Sequence, residues 1–133
     1  MSFLLDTDTC STYLKRPRGM THRFIQHSGR LFVPTIVLAE LYTWAYRRSI
    51  PSPVLAAINT DLLPQVTELK FDRACAEEWG KVRAGLLGKG LQIDAVDLQI
   101  AVIALVHNLI LVTHNTADYR HVPGLRLDDW VQP

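Results

Sequence analysis

The sequence predicts an α/β fold with a mainly parallel central sheet of four to five strands and helices on both of its faces. Short apolar runs typical of buried strands alternate with longer segments of helical periodicity. Such alternation favours parallel strands joined by helical crossovers. The chain has 133 residues, of which 48% are hydrophobic and 20% charged. This size suits one domain, taken as residues 1–133, and leaves no length for a second.

The first half of the chain supplies three predicted strands. The apolar residues between 36 and 45 recur at helical spacing, and Pro34 is well placed at a helix start. Ser52 and Pro53 are start signals for a further helix. In chain order the elements are a strand at 2–6, short helical material over about 9–27, a strand at 31–34, a helix from 35, a break at 49–53, a helix to about 63, and a strand at 65–70.

The second half supplies two helices and one or two strands. Asp72 introduces a long amphipathic helix that ends near the glycines at 85–90. The next helix, at about 95–107, is apolar on nearly all sides and is therefore predicted to be central and buried. A fourth strand follows at 109–112, and residues 125–130 are the candidate for a fifth.

Composition limits where the protein acts. The longest uninterrupted apolar run, at 100–106, is far shorter than the roughly 20 residues that span a bilayer. The first residues lack the basic region of a signal peptide, so a cytoplasmic protein is expected. Cys10 and Cys75 lack the spacing of a zinc site or a disulfide framework, which predicts reduced, buried or half-buried thiols.

Basic residues are concentrated early in the chain, although the formal net charge is only +1. The acidic residues, by contrast, are spread thinly. The cluster is either a phosphate-facing edge or an ordinary solvated surface. Its members are Lys15, Arg16, Arg18, His22, Arg23, Arg30, Arg47 and Arg48.

Acidic residues follow the predicted strands. Asp6 comes directly after the first strand, Glu40 lies about two turns into the helix after the second, Asp97 lies in the first turn of the buried helix, and Asp118 follows the fourth strand. Because ligands collect at the carboxyl ends of parallel strands, these four carboxylates are predicted to converge. Asp6 or Asp8 could alternatively cap the first helix, since Asp is a favoured N-cap residue.

Converging carboxylates indicate a hard divalent cation. Mg²⁺ binds one or two carboxylates directly and keeps several waters. Without the ion, like charges in one pocket should raise at least one carboxyl pKa. With it, water becomes a better nucleophile and charge on an attacked phosphate is offset. The histidines lack the spacing of a zinc hydrolase.

Five blocks of the sequence together resemble PIN-domain ribonucleases, and more narrowly the VapC toxins of VapBC toxin-antitoxin systems. They cover essentially the whole chain in the family's order and spacing. The blocks are LLDTD at 4–8, AEL at 39–41, DLQIAVIAL at 97–105, LVTHNTADY at 111–119 and VPGLRLDDW at 122–130.

The resemblance implies a PIN-like three-layer fold and endonucleolytic cleavage of structured RNA, such as tRNA or rRNA, with Mg²⁺ or possibly Mn²⁺. It implies Asp6 and Asp97 as direct metal ligands. It also implies a homodimer, a VapB-type antitoxin whose C-terminal segment lies across the active-site groove, and operator DNA bound only through that antitoxin. The implied acidic site consists of Asp6, Glu40, Asp97 and Asp118.

The first block and the segment before Glu40 depart from the family pattern. Asp8 stands where the family often has Asn, and we interpret it as a cap for the following helix rather than an extra site carboxylate. Val37 stands where a hydroxyl residue is common, one turn before Glu40, although Thr35 is close in sequence. A hydroxyl hydrogen bond to the site must therefore come from another residue, for which Thr35 is a candidate.

Two further acids have alternative roles. Asp94, three residues before Asp97, has the spacing of an N-cap and is interpreted as one, although the two could exchange roles. In the block after the fourth strand, either Asn115 or Asp118 could face the metal. Asp118 is preferred because a carboxylate is the better ligand.

Two other functional classes are compatible with parts of the sequence. LLDTDTC resembles the DxDxT motif of haloacid-dehalogenase phosphatases, with Asp6 as nucleophile and Asp8 as acid/base, but Cys10 occupies the Thr position. A catalytically inactive PIN-fold module acting with an antitoxin is the other alternative. The remaining residues singled out have structural interpretations: Trp44, Trp79 and Trp130 as core or dimer contacts, and Asp128 and Asp129 as exposed acids.

Overall fold

The computed structural model describes residues 1–15 and 17–131, so Arg16 of the basic cluster lies outside the described residues. Its sheet has five strands in the order β3-β2-β1-β4-β5, and every neighbouring pair is parallel. The predicted α/β class is confirmed, and the sheet is wholly rather than mainly parallel. The strands are β1 (Phe3–Leu5), β2 (Leu31–Pro34), β3 (Thr67–Leu69), β4 (Ile110–Val112) and β5 (Leu127–Asp128).

Most helices fall where the sequence predicts them. The segment predicted as helical over 9–27 is divided, because Pro17 and Gly19 are poor residues for a helix interior. Asp72 accepts a hydrogen bond from the backbone N–H of Cys75 (3.0 Å) and so caps α5 as expected. The helices are α1 (Thr7–Lys15), a 3₁₀ turn (Pro17–Gly19), α2 (Thr21–Gln26), α3 (Thr35–Tyr46), α4 (Ser52–Ala57) extended by a π turn (Ile58–Leu62) and a 3₁₀ turn (Leu63–Gln65), α5 (Arg73–Gly88), α6 (Ala95–Val106) and α7 (Thr116–Tyr119).

The chain reverses its direction of travel across the sheet after β3. It steps from β1 outwards to β2 and β3, then returns to the other side of β1 to form β4 and β5. Right-handed crossovers place α1–α4 on one face and α5–α7 on the other. Contacts of α1 with α3, and of α5 with α6, agree with this arrangement. The reversal makes the carboxyl ends of β1 and β4 a topological switch point, where open α/β sheets form ligand sites.

The core is built around the sheet and α6. All three residues of β1 and of β4 are buried, as are six of the twelve residues of α6. This explains their almost continuous apolar sequences, because parallel strands are covered on both faces. The predicted central position of the 95–107 helix is confirmed. Cys10 and Cys75 are both free and buried, as predicted.

Near the end of the chain, one tryptophan is buried and the two acidic residues before it are half-buried. Trp130 is buried, with its ring centroid 5.2 Å from that of Phe3. Asp128 and Asp129 are half-buried, so the prediction that they are exposed was wrong. Asp128 accepts a hydrogen bond from Trp130 Nε1 (3.0 Å), and Asp129 Oδ2 lies 3.0 Å from His114 Nδ1. Among the described residues, no helix is both long and apolar enough to cross a membrane.

Candidate active site

A small polar pocket opens at the switch point between β1 and β4. Its volume is about 150 Å³. The lining side chains come from the residue after β1, from α1, α3 and α6, and from the segment after β4, so the fold brings together residues more than a hundred positions apart in the sequence. They are Asp6, Thr7, Asp8, Glu40, Asp97, Ile100, Asn115 and Tyr119.

Asp6 both caps α1 and lines the pocket. It follows β1 directly, and its Oδ1 accepts a hydrogen bond from the backbone N–H of Thr9 (2.8 Å). Its side chain is buried, and burial raises its pKa above the ordinary value. Hydrogen bonds from Thr113 and Thr9 oppose the rise, whereas the charge of Asp8 adds to it. Asp6 therefore caps α1 and also lines the pocket.

Asp8 does not cap the helix, contrary to prediction. Because α1 begins at Thr7 rather than near residue 9, Asp8 lies inside the first helical turn. Its Oδ2 accepts a hydrogen bond from the side-chain amide of Asn115 (3.1 Å), which connects α1 to the segment after β4. Asp8 thus adds a carboxylate to the pocket lining.

Glu40 reaches the pocket from α3 and is held there by a neighbouring hydroxyl. The donor is Thr7, whose Oγ1 hydrogen-bonds to Glu40 Oε1 at 2.5 Å. Thr35, the candidate suggested by its closeness in sequence, instead donates to Glu68 Oε1 (3.0 Å) at the edge strand β3. Thr7 was missed as a site residue, although its place inside the LLDTD block marks it in retrospect.

Asp97 lies in the first turn of α6, which Asp94 caps. Asp94 Oδ1 accepts hydrogen bonds from the backbone N–H groups of Val96 (2.9 Å) and Asp97 (3.1 Å), so its predicted role as a cap is confirmed. Burial is the main cause of a raised pKa at Asp97, and the charges of Asp94, Asp118 and Glu40 add to it. The pocket therefore disfavours the charged form of Asp97 in the absence of a cation.

Tyr119 is a site residue that the sequence did not reveal. Its ring is buried on α7 and lines the pocket, and its hydroxyl hydrogen-bonds to the Asp97 carboxylate, which lowers the pKa of Asp97. Burial and the surrounding carboxylates raise the pKa of Tyr119. The phenol therefore keeps its proton and remains a hydrogen-bond donor. Like Thr7, Tyr119 lies inside a family block, LVTHNTADY at 111–119, but its residue type alone does not distinguish it from a core residue.

The fourth predicted acid, Asp118, is not part of the lining. It is exposed on α7, one turn from Asn115, and its backbone N–H donates to the Asn115 carbonyl (3.1 Å). Its charge still raises the pKa of Asp97. The structure thus brings Asp6, Glu40 and Asp97 together, places Asn115 beside them, and leaves Asp118 at the periphery.

The pocket has the donor chemistry of an open magnesium site. Four of its eight lining residues are carboxylates and none is a cation. Within residues 1–15 and 17–131, no three His, Cys, Asp or Glu side chains lie close enough together to hold a metal ion by themselves. An ion that takes one or two carboxylates and keeps its waters suits this arrangement better than one that needs a closed set of ligands. The residues present therefore fit Mg²⁺.

Comparison with known proteins identifies the family. A PIN domain matches residues 3–125. The tRNA(fMet)-specific endonuclease VapC of Shigella flexneri is 33% identical over 131 residues, covering 98% of both chains. Ribonuclease VapC2 of Haemophilus influenzae (strain ATCC 51907 / DSM 11121 / KW20 / Rd) is 33% identical over 132 residues, covering 98% of this chain and 99% of the relative.

A solved structure agrees over the same length. The crystal structure of DNA-bound VapBC from Salmonella typhimurium contains a chain with a TM-score of 0.91 and 31% identity, and the match covers 98% of each chain. The resemblance seen in the sequence blocks is thereby confirmed, and the haloacid-dehalogenase interpretation is set aside. The chain belongs to the PIN-domain family and, within it, to the VapC ribonucleases.

Proposed function

We propose that this protein is a metal-dependent endoribonuclease that acts as the toxin of a VapBC-type toxin-antitoxin pair. The observation that carries the proposal is the convergence of Asp6, Glu40 and Asp97, from three separate segments, on one small pocket. Membership of the VapC ribonucleases supports the same chemistry. The substrate bond is an RNA phosphodiester.

In this proposal Asp6 and Asp97 hold Mg²⁺, or alternatively Mn²⁺. When bound, the ion offsets negative charge on the phosphate and makes water a stronger nucleophile. Thr7 keeps Glu40 oriented so that its carboxylate can accept a proton from the attacking water. The water oxygen forms a new bond to phosphorus and one ester P–O bond breaks. The departing sugar oxygen takes up a proton from solvent water, and Glu40 releases the proton it accepted to solvent.

The remaining polar residues support this arrangement. Tyr119 and the cap residue Asp94 fix the position of Asp97. Asn115 and Asp8 join the two sides of the pocket. Asp118, predicted as the fourth catalytic acid, lies outside the lining, so we assign it an electrostatic effect through Asp97 rather than direct contact with the ion.

Relatives guide the proposed substrate and partners. The Shigella flexneri relative is named as specific for tRNA(fMet), which supports a structured cellular RNA, tRNA or rRNA, as the substrate here. The Salmonella typhimurium structure is a VapBC complex bound to DNA. By analogy we propose a homodimer, a VapB-type antitoxin whose C-terminal segment covers the active-site groove, and operator DNA bound only through that antitoxin.

The deciding experiment is cleavage of purified total RNA by the protein freed of antitoxin, with Mg²⁺, Mn²⁺ or EDTA. Asp6→Asn is the inactive variant, and Asp61→Asn, an exposed acid on the π turn, is the matched control. Discrete products that require metal, appear with Asp61→Asn and disappear with Asp6→Asn are expected. A folded wild-type protein that cuts no RNA with any metal would favour the inactive binding-module alternative.

A further inference from the structure

A second, larger groove adjoins the carboxylate pocket. Its volume is about 580 Å³. Thr7 and Glu40 line both cavities, so the groove and the pocket share a wall. Its lining residues are Thr7, Glu40, Thr43, Trp44, Arg47 and Arg48.

The groove follows one face of α3 and of the turn after it. Its α3-side residues occupy positions 40, 43, 44, 47 and 48, the i, i+3, i+4, i+7 and i+8 spacing of one helical face. At 1.5 Å per residue, Glu40 and Arg47 are separated by about 10 Å along the axis. The surface is therefore polarised, with the carboxylate pocket at one end and two cations at the other.

The two arginines have no partner within the part of the chain that the structure describes. Arg47 and Arg48 are exposed, and neither guanidinium forms an ion pair or hydrogen bond with residues 1–15 or 17–131. Two other members of the basic cluster are engaged. Arg23 lies over the Trp130 ring, 5.9 Å from its centroid, and Arg30 donates to the Gln26 carbonyl (3.0 Å). The structure therefore divides the basic cluster predicted from the sequence.

Trp44 gives the groove an aromatic wall between its acidic and basic ends. The indole is half-buried, and Lys15 Nζ lies 5.0 Å from its ring centroid, which adds a third cation to this side of the molecule. Cations that follow a phosphate backbone, combined with an aromatic side chain, are typical of sites for single-stranded nucleic acid. Apart from Trp44, no lining residue is apolar. That composition suits a polyanion better than an apolar peptide segment.

We propose that this groove binds the single-stranded RNA next to the phosphate that is cleaved. Arg47 and Arg48 contact backbone phosphates, and Trp44 contacts a neighbouring nucleotide. The inference rests on the proposed ribonuclease function, because it takes the carboxylate pocket as the cleavage site. It assigns substrate binding to the end of α3 rather than to the whole basic cluster.

The test compares two charge-neutralised double variants of the full chain. Arg47→Gln/Arg48→Gln removes the groove cations, and Arg23→Gln/Arg30→Gln is the matched control. Binding of a fluorescein-labelled 12-nucleotide oligouridine is followed by anisotropy in EDTA at several salt concentrations. Loss of two phosphate contacts should reduce the slope of log K against log salt by about 1.4, at about 0.7 per contact on single strands. The control pair should leave the slope unchanged.

Two further measurements complete the test. Trp44→Leu, checked for folding by its melting curve, should weaken oligouridine binding roughly tenfold. In RNA cleavage with Mg²⁺, the Arg47→Gln/Arg48→Gln variant should raise KM with little change in kcat. Equal slopes for the wild type and both double variants would overturn the inference, as would equal loss in both.

The measurements distinguish a failure of the groove assignment from a failure of the proposed ribonuclease function. Wild-type protein that cleaves RNA while Arg47→Gln/Arg48→Gln cleaves and binds equally well would refute the groove assignment alone. Wild-type protein that cleaves no RNA would refute the proposed function, whatever the binding result. A double variant that loses antitoxin binding but keeps its RNA affinity would assign the groove to the antitoxin and also overturn the inference.

Discussion

Replacing Asp6 with asparagine should abolish cleavage and yet stabilise the metal-free protein. Burial raises the pKa of Asp6, so the folded state binds a proton at this carboxyl more tightly than the unfolded state does. Stability is then lost as the pH rises from the ordinary carboxyl pKa of 3.8 through the folded-state value. At neutral pH the Asp6 charge therefore destabilises the fold. Asparagine removes that charge and keeps an oxygen for the Thr9 N–H.

The expected changes in melting temperature come from the loss of the helix cap and from the binding of the proposed ion. Asp6→Ala also loses the cap, which costs about 1 kcal/mol. Unfolding entropy of about 2.1 cal/mol/K per residue over 133 residues converts this to a melting temperature about 4 °C below that of Asp6→Asn. Mg²⁺ at about ten times its dissociation constant adds about 1.4 kcal/mol to the wild-type free energy of unfolding, or about 5 °C.

The assay is thermal unfolding followed by circular dichroism at neutral pH, in EDTA and in Mg²⁺. The wild type, Asp6→Asn, Asp6→Ala and the control Asp61→Asn are compared. The Mg²⁺ shift should be present in the wild type and in Asp61→Asn and absent from both Asp6 variants. A metal-free Asp6→Asn protein that melts below the wild type, or one that keeps the full Mg²⁺ shift, would refute the reasoning.

Three further predictions concern Asp97 and the pH dependence. Tyr119→Phe should raise the Mg²⁺ concentration for half-maximal cleavage about tenfold while lowering the free energy of unfolding by about 1 kcal/mol at most; an unchanged Mg²⁺ requirement would contradict the positioning role. Asp94→Ala should lower the free energy of unfolding in urea by about 1 kcal/mol, whereas Asp94→Asn should not; equal midpoints would show that the cap contributes nothing. Because the pKa values of Asp6 and Asp97 are raised, cleavage should decline on acidification at a higher pH than ordinary carboxyl groups would give. Added Mg²⁺ should move that decline to lower pH, because the ion competes with protons for the carboxylates. A decline at the same pH whatever the Mg²⁺ concentration would contradict this prediction.

The fold class was predictable because each buried strand has a sequence that few other environments allow. The runs around Leu4 and Leu111 are apolar without alternation, as strands covered on both faces must be. Element boundaries were less accurate, since a three-residue strand gives little periodicity to measure. The predicted start of α1 was two residues too late in the sequence, and for this reason the cap was assigned to Asp8 instead of Asp6.

Three of the four acids predicted for the site line the pocket, whereas Asp118 does not and Asp8, predicted as a cap, does. The hydrogen-bond partners of these acids were not predictable. Asp6, Glu40 and Asp97 are recognisable because they follow strands or interrupt apolar helices. Hydrogen bonds such as those between Thr7 and Glu40, 33 positions apart, and between Asn115 and Asp8, 107 positions apart, depend on tertiary geometry. No local sequence pattern predicts such pairings. The family pattern places a hydroxyl or an amide near the site without saying which residue supplies it.

The strand order determines when a growing chain can first possess a working pocket. Leu4 of the central strand pairs with Leu111, 107 positions later, and the backbone N–H of Asp6 donates to the Val112 carbonyl (3.2 Å). During synthesis the innermost strand is made about a hundred residues before the neighbour that fixes it in place. Asp6, Glu40 and Asp97 therefore all exist in a partial chain that cannot yet hold them together. The pocket is therefore completed only when almost the whole domain has been made.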